Sequence, residues 1–437
     1  MSWYSVRPLT IAKLYAVSVS TISSTTIRSI DKAPAWRAPD VPPPLSLYVH
    51  FPWCARKCPY CDFNSHAQSE TPGDAAQLRS RYLHALRKDL EAALPLVWGR
   101  TVQSVFIGGG TPSLMTGEEV DCLLCDIRTL LPLMPGCEIT LEANPGTMEA
   151  QRFRAFAQAG VNRLSLGIQS FDDDMLARLG RIHDGSEARQ AAERAKEHFD
   201  NFNLDLMWAL PGQTLSQAQA DLRLALDIAP PHLSLYQLTI EPNTVFAKFP
   251  PQLPDEDTAF LMQEGLQRLA ADCGYRHYEV SAYARSGRQC VHNMNYWTFG
   301  DYLGIGAGAH SKLTLAEGIA RQERFSSPES YLGNATEGRF VSRQYTVATR
   351  DLPFEFMLNA LRLIDGVPAP LFVERTGLPP DAISRARDSA ERRGLLEPDP
   401  TRICATSLGL RFLNDLQALF LPEGGGPRAV RLEPVSG

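Results

Sequence analysis

The sequence predicts a protein of the α/β class, with a partial (β/α)6 barrel followed by a mainly helical, winged-helix-like C-terminal domain. Two observations lead to this prediction. Between residues 45 and 245, six short runs of apolar and β-branched residues alternate with longer amphipathic stretches, a pattern typical of parallel strands covered by helices. The cysteine-rich, glycine-rich and polar motifs of this region follow those runs, at the edge where α/β folds form their binding sites.

The elements of the barrel are assigned in chain order from the length and periodicity of these runs. The predicted strands are LSLYVH, TVQSVFI, EITLEAN, NRLSLGI, NFNLDLM and HLSLYQL. The predicted helices between them lie near residues 75–95, 117–131, 149–159, 186–198 and 215–228. Six strands in this alternation imply a parallel sheet with its helices outside.

The regular alternation of predicted strands and helices ends near residue 245. A helix near residues 255–273 precedes YRHYEVSAYA, HNMNYW and the glycine-rich GDYLGIGAGAHS. From about residue 345 the pattern is mostly helical, with the order of helix, turn, helix and hairpin that is typical of a winged-helix unit. Because this unit lacks a clear basic recognition helix, we expect it to pack against the barrel and not to bind nucleic acid.

These changes divide the chain into five parts. They are a disordered leader and linker at 1–44, a core barrel at 45–245, an extension with the HNMNYW segment at 246–345, a helical C-terminal domain at 346–422 and a disordered tail at 423–437. No internal repeat is visible.

Composition limits the partners and the compartment. The net charge is −6 and no run of Lys or Arg stands out, which disfavours nucleic acid and anionic membranes as main ligands. No stretch approaches the roughly 20 apolar residues of a spanning helix, so we expect no integral membrane segment, while peripheral membrane contact stays open. Nine cysteines without a disulfide-like framework favour a reducing compartment, and we expect the cytoplasm.

Residues 1–30 leave an alternative for localisation. They contain Arg7, Lys13 and Arg28, many Ser and Thr, and no acidic residue, which resembles an organelle transit peptide and would place the protein in the mitochondrial matrix. An unstructured leader, or a start codon assigned too far upstream, explains the same composition.

Three cysteines after the first predicted strand form the strongest local signal. Cys54, Cys58 and Cys61 follow one another at intervals of four and three positions. A structural zinc site needs four ligands, and no partner pair of cysteines is obvious. In a [4Fe–4S] cluster, three thiolates leave one iron open to another ligand. The sequence therefore favours an iron–sulfur cluster with an open iron.

The other cysteines are interpreted as core thiols. Cys122 and Cys125 lie one turn apart on a predicted amphipathic helix, where two thiols are more typical of packing than of chemistry. The same interpretation applies to Cys137, Cys273 and Cys404.

The three-cysteine motif, with Tyr60 directly before its last Cys, resembles the signature of the radical S-adenosylmethionine (SAM) superfamily. The resemblance implies a TIM-like partial barrel in which the free iron is chelated by the amino and carboxylate groups of SAM. One electron from the cluster then cleaves the sulfonium C–S bond.

The resemblance also implies a SAM pocket at the ends of the strands. GGGTPS resembles the glycine-rich segment that receives the methionyl amino group, while two acids at strand ends could bind ribose hydroxyls or an ammonium or could cap helices. An amide and a guanidinium would bind the carboxylate end of SAM. The candidate residues are Tyr48, Tyr60, Gly109, Gly110, Thr111, Glu142, Gln169, Arg181 and Asp205.

Over residues 45 to 420 the motifs together resemble the oxygen-independent coproporphyrinogen III oxidase-like family. The true oxidases of that family carry a further Cys where this chain has Phe63, whereas its heme chaperone branch shows CPYCDF and an H-N-x-x-Y-W segment, as here. A neutral imidazole is a good axial ligand for heme iron, and His292 is the candidate. Cys290 could substitute for it or assist it, and His50 and His310 are secondary candidates that we expect to be structural.

Two functions follow from this resemblance. The first is a heme chaperone that retains an iron–sulfur cluster and SAM and transfers heme to an acceptor protein that the sequence does not identify. The second is an oxygen-independent coproporphyrinogen III oxidase, a coproporphyrinogen dehydrogenase-type oxidoreductase that decarboxylates propionates by radical chemistry. Phe63 and HNMNYW favour the chaperone, and no catalytic residue is assigned.

Overall fold

The six strands predicted for the barrel form in the order of the sequence. The computed structural model describes residues 36–68, 71–146 and 150–422. The strands of this region are β1 (Leu45–Phe51), the short β2 (Trp53–Cys54) and β3 (His66–Ala67), β4 (Val102–Gly109), β5 (Leu133–Ala143), β6 (Arg163–Gln169), β7 (Phe202–Trp208) and β8 (His232–Gln237). The predicted α/β class with a large parallel sheet is confirmed.

Five of the helices between these strands lie where the sequence predicts them, and the short helix Asp173–Arg178 was not predicted. They are α1 (Pro72–Val97), α2 (Gly117–Leu130), α3 (Phe153–Ala159), α4 (Asp173–Arg178), α5 (Gly185–His198) and α6 (Leu215–Ile228). Thr116, Asp184 and Thr214 each begin a helix with a reciprocal capping box, which satisfies amide groups that the first turn leaves unpaired.

Side chains alternate between the two faces of the sheet. In β1, Leu47 and Val49 belong to the main apolar core that the helices cover. Ser46 lies on the other face, where its hydroxyl contacts Ser104 of β4 at 2.7 Å. This two-residue period gives the sheet one apolar face toward the helices and one polar face toward the barrel interior.

The extension lengthens the sheet on both sides. Its elements are α7 (Val245–Lys248), α8 (Glu256–Asp272), β9 (Arg276–Glu279), β10 (Ala282–Ala284), α9 (Val291–Trp297), β11 (Asp301–Ile305), β12 (His310–Leu315), β13 (Gly318–Arg324), α10 (Pro328–Ala335) and β14 (Val341–Thr346). The order of the 12 strands is β14-β13-β12-β11-β1-β4-β5-β6-β7-β8-β10-β9. Strand β11 pairs with β1 in parallel and β10 pairs with β8 antiparallel, so the barrel stays open between β1 and β8.

Helix α9, which carries HNMNYW, packs on the interior face of the sheet. The imidazole of His292 stacks on Phe106 of β4, with ring centroids 4.2 Å apart. The amide of Asn295 donates to Ser46 of β1 at 2.9 Å. The helix therefore fills the barrel interior below the carboxyl ends of the strands.

The C-terminal region is mostly helical, as predicted. It contains α11 (Leu352–Ala360), β15 (Val367–Pro368), α12 (Pro370–Thr376), α13 (Ser384–Arg392), β16 (Arg402–Ile403), α14 (Ser407–Arg411) and α15 (Leu413–Ala418). Strands β15 and β16 pair antiparallel around α12 and α13. Phe356 and Phe372 share a second apolar core with Tyr296 and Trp297 of α9, so this region packs against the segment that fills the barrel.

The two predicted ends of the chain lie largely outside the described residues. Of the predicted leader and linker, residues 36–44 form neither helix nor strand, and the Pro43 carbonyl accepts a hydrogen bond from Arg100 at 2.6 Å. The predicted transit-like segment and the tail at 423–437 lie outside the described part of the chain. Among the described helices, none combines the length and the apolar composition that crossing a membrane requires.

A buried ion pair joins α1 to the extension. Asp89 and Arg324 lie 3.1 Å apart, and each side chain is 1% exposed. Asp89 also accepts hydrogen bonds from Tyr331 at 2.9 Å and from the amide of Gly306 at 3.1 Å. Because each charge has a partner, the pair is tolerated in the interior.

We expect Asp89→Ala to lower the free energy of unfolding by about 3–5 kcal/mol, because it leaves the Arg324 guanidinium buried without its counter-charge. Urea denaturation followed by circular dichroism measures the change. Glu337→Ala is the control, since its pair with Arg339 is 63% and 66% exposed and such pairs contribute little. Equal effects of the two changes would contradict this account.

Candidate functional site

The loop after β1 holds the three cysteines on one side of a cavity. Strand β2 pairs in parallel with β3 and closes the loop between them. Within the loop, the amide of Cys61 donates to the carbonyl of Cys58 at 3.1 Å, and Lys57 donates to the carbonyls of Phe63 and Ser65 at 3.1 and 3.2 Å. These bonds hold a loop that has no helix or strand of its own.

Asn64 fixes the same loop to the extension. Its side-chain amide donates to the backbone carbonyls of Ala307 and Ser326 at 3.0 and 2.8 Å. The backbone carbonyl of Asn64 accepts from Nε2 of His50 at 2.9 Å. The cysteine loop is therefore fixed by residues far away in the sequence.

Burial disfavours the thiolate form of two of the cysteines, Cys54 and Cys61. Burial raises the pKa of Cys54 to about 11, partly offset by a hydrogen bond with Thr111, and burial also raises the pKa of Cys61. Neighbouring thiols raise these pKa values further. A bound metal would displace the protons and take the thiolates as ligands.

The glycine-rich end of β4 lies directly beside the cysteine loop. The amides of Gly110 and Thr111 donate to the carbonyls of Phe51 and Trp53 at 2.6 and 2.7 Å. A Cβ at position 110 would lie 2.4 Å from the Trp53 carbonyl oxygen. Glycine is therefore required at position 110 by the close approach of two backbones.

Polar groups from β5 continue the wall of the cavity. Glu142 accepts a hydrogen bond from the amide of Gly109 at 2.9 Å, and Asn144 donates to the hydroxyl of Thr111 at 2.9 Å. Arg181 donates to Asn144 and to the carbonyl of Gly167 at 2.7 and 2.8 Å. The arginine also reaches the sulfur of Cys58 at 3.6 Å, which links the far wall to the cysteine loop.

Gln169 and Asp205 come from the ends of β6 and β7. Gln169 has a positive φ of 70°, and its buried Oε1 accepts no hydrogen bond from the described residues. Asp205 is 2% exposed and accepts from Ser165, Asn203 and Tyr236 at 3.2, 2.8 and 3.0 Å. One oxygen acceptor on this side is thus left for a ligand.

The resulting cavity opens to solvent at the carboxyl ends of the strands. It brings together the three cysteines and seven further residues predicted from the sequence: Gly109, Gly110, Thr111, Glu142, Gln169, Arg181 and Asp205. It also includes residues that the sequence analysis did not assign to the site: Arg56, Ser65, Ala143, Asn144, Ser165 and Gly167. Phe63 lies in the same wall.

The two predicted tyrosines do not line this cavity. Tyr60 is 4% exposed and packs with Met175, Leu179 and Tyr236 in a small apolar cluster, so it anchors the cysteine loop. Tyr48 stacks on Phe106 with ring centroids 5.7 Å apart. Their rings are used in packing, and direct contact of these tyrosines with the cofactor stays a prediction.

His292 is also separate from the cavity. Its imidazole is 2% exposed, and its Nδ1 lies 3.1 Å from Oε1 of Glu138. The sulfur of Cys290 is 3.1 Å from Nδ1 and 3.3 Å from Nε2. Burial lowers the pKa of His292, and Glu138 opposes this shift. As folded here, the predicted heme ligand is enclosed.

Glu138 is the residue of this second cluster that the sequence analysis missed. Burial alone would raise its pKa, but the hydrogen bond from His292 and the charge of Arg163 lower the pKa to about 2. The segment EITLEAN contained a signal for this role of Glu138. Glu138 and Glu142 are four positions apart on a strand, so Glu138 shares the interior face with Glu142.

A chain of hydrogen bonds connects the cavity to this cluster. Asn203 donates to Asp205 at 2.8 Å, and its carbonyl oxygen accepts from Nδ1 of His232 at 2.7 Å. The hydroxyl of Tyr278 donates to Nε2 of His232 at 2.8 Å and accepts from the amide of Cys290 at 3.3 Å. The two polar regions of the barrel interior are therefore continuous.

The remaining expectations for cysteine and histidine have mixed outcomes. Cys137 is buried as expected, but Cys122, Cys125 and Cys273 are exposed and Cys404 is intermediate, so the assignment of these four to the core was wrong. On α2, Cys122 and Cys125 are exposed while neighbouring Leu123 and Leu124 are buried. Apolar periodicity alone did not fix which residues of α2 face the core.

The secondary histidine candidates differ in their surroundings. His50 is bonded through both ring nitrogens, since its Nδ1 accepts from Tyr48 at 2.7 Å and its Nε2 donates to the carbonyl of Asn64 at 2.9 Å. This is a structural role. His310 begins β12 and is partly exposed.

The cavity fits an iron–sulfur cluster and SAM. Three thiols share one wall, with no fourth cysteine among the residues lining the cavity, as an open iron requires. The opposite walls offer carboxylates, the Oε1 of Gln169, which accepts no hydrogen bond from the described residues, and the glycine backbone at Gly110. These donors and acceptors match an amino acid joined to a nucleoside.

Family models and known proteins agree with this geometry. The model of the Radical SAM superfamily matches residues 48–225, and the model of the HemN C-terminal domain matches residues 347–412. "Heme chaperone HemW" of Escherichia coli is 49% identical over 87% of this chain and 99% of its own length, and that of Haemophilus influenzae is 48% identical with the same coverage.

A solved structure has the same fold. Coproporphyrinogen III oxidase (HemN) from Escherichia coli superposes with a TM-score of 0.74 over 87% of this chain and 90% of that chain, at 22% identity. This likeness supports the partial barrel and the helical C-terminal region predicted from the sequence.

We expect Gly110→Ala to weaken SAM binding by the reconstituted protein roughly ten- to a hundredfold, because the added Cβ would clash with the Trp53 carbonyl and overpacking costs about 1–3 kcal/mol. Equilibrium dialysis with labelled SAM measures the affinity. Gly333→Ala is the matched control, since its added Cβ meets nothing within 4 Å. Unchanged affinity in Gly110→Ala would contradict the role given to this backbone.

Proposed function

This chain belongs to the radical SAM superfamily and, within it, to the heme chaperone HemW family, and from that premise we propose that it carries heme and transfers it to an acceptor protein. The similarity to heme chaperones along nearly their whole length is the observation that carries the proposal. Phe63 lies in the cavity wall, at the position where the oxygen-independent coproporphyrinogen III oxidases carry a further cysteine. This difference supports the chaperone function.

The proposal assigns the cavity to a [4Fe–4S] cluster and SAM. Cys54, Cys58 and Cys61 would hold the cluster, and the cluster would supply one electron to the bound sulfonium compound. The polar walls would bind SAM through the residues that converge there: Gly109, Gly110, Thr111, Glu142, Gln169, Arg181 and Asp205. Asp205 is already held by three donors, so it is oriented before any ligand enters.

Heme is the proposed cargo, with His292 as its axial ligand. A ligating imidazole must be neutral, and burial lowers the pKa of His292. Because the ring is 2% exposed, ligation requires the contacts around α9 to open locally. Aromatic side chains beside it, Tyr296 and Trp297 of the same helix, could then contact a porphyrin face.

The proposal includes a compartment and partners. The described cysteines are free thiols, and three of them would hold an oxygen-sensitive type of cluster. Both features suit the reducing cytoplasm. The acceptor would be a protein that receives heme from the chaperone, and nucleic acid has no place in the proposed activity.

Heme titration of the anaerobically reconstituted protein tests the proposal. We expect wild type to develop a Soret band with a stoichiometric end point, and His292→Ala to lose the ligated spectrum because its iron ligand is gone. His84→Ala is the control, since His84 is exposed on α1. Thermal unfolding checks that each variant is folded.

A parallel assay separates the chaperone from the oxidase. Coproporphyrinogen is incubated with the same reconstituted protein, SAM and a reductant, and carbon dioxide is measured. We expect no decarboxylation above the cluster-free control. Robust decarboxylation without a heme spectrum would overturn the proposal in favour of the oxidase, and a ligated spectrum that survives in His292→Ala would remove that residue as the ligand.

A further inference from the structure

A single carboxylate oxygen organises the start of the HNMNYW helix. Oε1 of Glu138, on β5, accepts from the backbone amides of Val291 and His292 at 3.0 and 3.2 Å. The same oxygen lies 3.1 Å from Nδ1 of the His292 ring. Glu138 therefore fixes both the backbone and the side chain of His292 to the barrel wall.

Helix α9 depends on this carboxylate because its own first residues supply no cap. Cys290 stands at the N-cap position and makes no side-chain capping bond. A carboxylate at the N-terminus of a helix satisfies free amides and interacts favourably with the helix dipole. In this protein the carboxylate comes from another strand, 152 positions earlier.

The charge of Glu138 is balanced on its other side. Its Oε2 lies 4.0 Å from the guanidinium of Arg163, and the two side chains are 6% and 2% exposed. Arg163 is itself held by Asn201, to which it donates at 2.7 Å. An ionised carboxylate is therefore sustained in the interior, and such a group only accepts hydrogen bonds.

This arrangement fixes the tautomer of His292. Because Oε1 already accepts from two backbone amides, it acts as an acceptor toward the ring as well, and Nδ1 is assigned as the nitrogen that carries the proton. The ring plane is fixed as well, by stacking on Phe106 at an interplanar angle of 18°. A metal that binds this ring while Nδ1 stays bonded to Glu138 would bind at Nε2.

We propose that Glu138 is a positioning residue for heme ligation, which holds Nδ1–H of His292 so that Nε2 is presented to the heme iron as a more basic ligand. This inference rests on the proposed binding of heme through His292. Iron at Nε2 would leave the bond between Nδ1 and Glu138 in place. The local opening that ligation requires includes the Cys290 thiol, which lies 3.3 Å from Nε2.

The chemistry of the carboxylate determines what each substitution should do. A carboxylate that accepts from a ligating imidazole raises the basicity of the ligand and fixes its orientation, and loss of such partners typically costs about 10–100-fold in metal affinity. Glu138→Gln keeps an acceptor of the same shape but removes the charge. Glu138→Ala removes both.

The first experiment uses the heme-free protein, so it is independent of heme binding. Ring-nitrogen NMR of protein labelled with ¹⁵N-histidine, assigned with His292→Gln, reports the tautomer. We expect the Nδ1–H form in wild type and in Glu138→Gln, and loss of that form in Glu138→Ala. Asp89→Asn is the control, because Asp89 is an equally buried ion-paired carboxylate without contact to His292. A tautomer unchanged in Glu138→Ala would overturn the proposal.

The second experiment uses the heme-loaded protein. We expect Glu138→Gln to shift the heme reduction potential to more positive values, since a less basic ligand stabilises ferric iron less, and Glu138→Ala to bind heme about 10–100-fold more weakly. Asp89→Asn should leave both readouts at the wild-type value. A potential unchanged in Glu138→Gln would overturn the role of the charge.

The outcomes distinguish this inference from the function on which it rests. If wild type binds no heme, the proposed function fails, whatever the tautomer measured in the heme-free protein. If wild type binds heme through His292 while both Glu138 variants match it in affinity and potential, the proposed function stands and the positioning role is refuted.

Discussion

Alternation of side chains along the parallel strands is the constraint on which this structure depends. Each strand must bury one face against the helices, so Leu47, Val49 and their counterparts point outward into the main core. Because successive side chains of a strand point to opposite faces, the intervening residues face the barrel interior. In this chain many of them are polar, with exceptions such as Phe106, so the interior is a largely polar enclosure with a cofactor cavity at one end and α9 at the other.

A polar enclosure is stable when its buried groups find partners. Asp205, Asn203, His232 and Tyr278 satisfy one another in sequence, and Glu138 is balanced by Arg163 and by the amides of α9. Removing one member leaves its neighbour buried without a partner, which costs more than the bond itself contributes. Residues at the two ends of the interior are therefore linked by the same requirement, although they bind different groups.

The sequence was sufficient for the barrel and for most of the cavity, because both depend on local signals. Strand periodicity and the position of motifs after strands placed Gly110, Glu142 and Gln169 together. It was insufficient where a side chain has two plausible environments. Tyr60 precedes a cysteine yet packs into an apolar cluster, and His292 lies in a heme-type motif yet is enclosed by Glu138. Strands β13 and β14 were not predicted, since their pairing is set by tertiary contacts at the edge of the sheet.

The two hydrogen bonds of Asn64 affect the order in which the molecule can be completed. Their acceptors, Ala307 and Ser326, lie 243 and 262 positions later in the chain. During synthesis the amino-terminal barrel leaves the ribosome well before these carbonyls exist outside it, and domains fold as their residues emerge. The segment that carries the three thiols thus acquires these two restraints only late in translation.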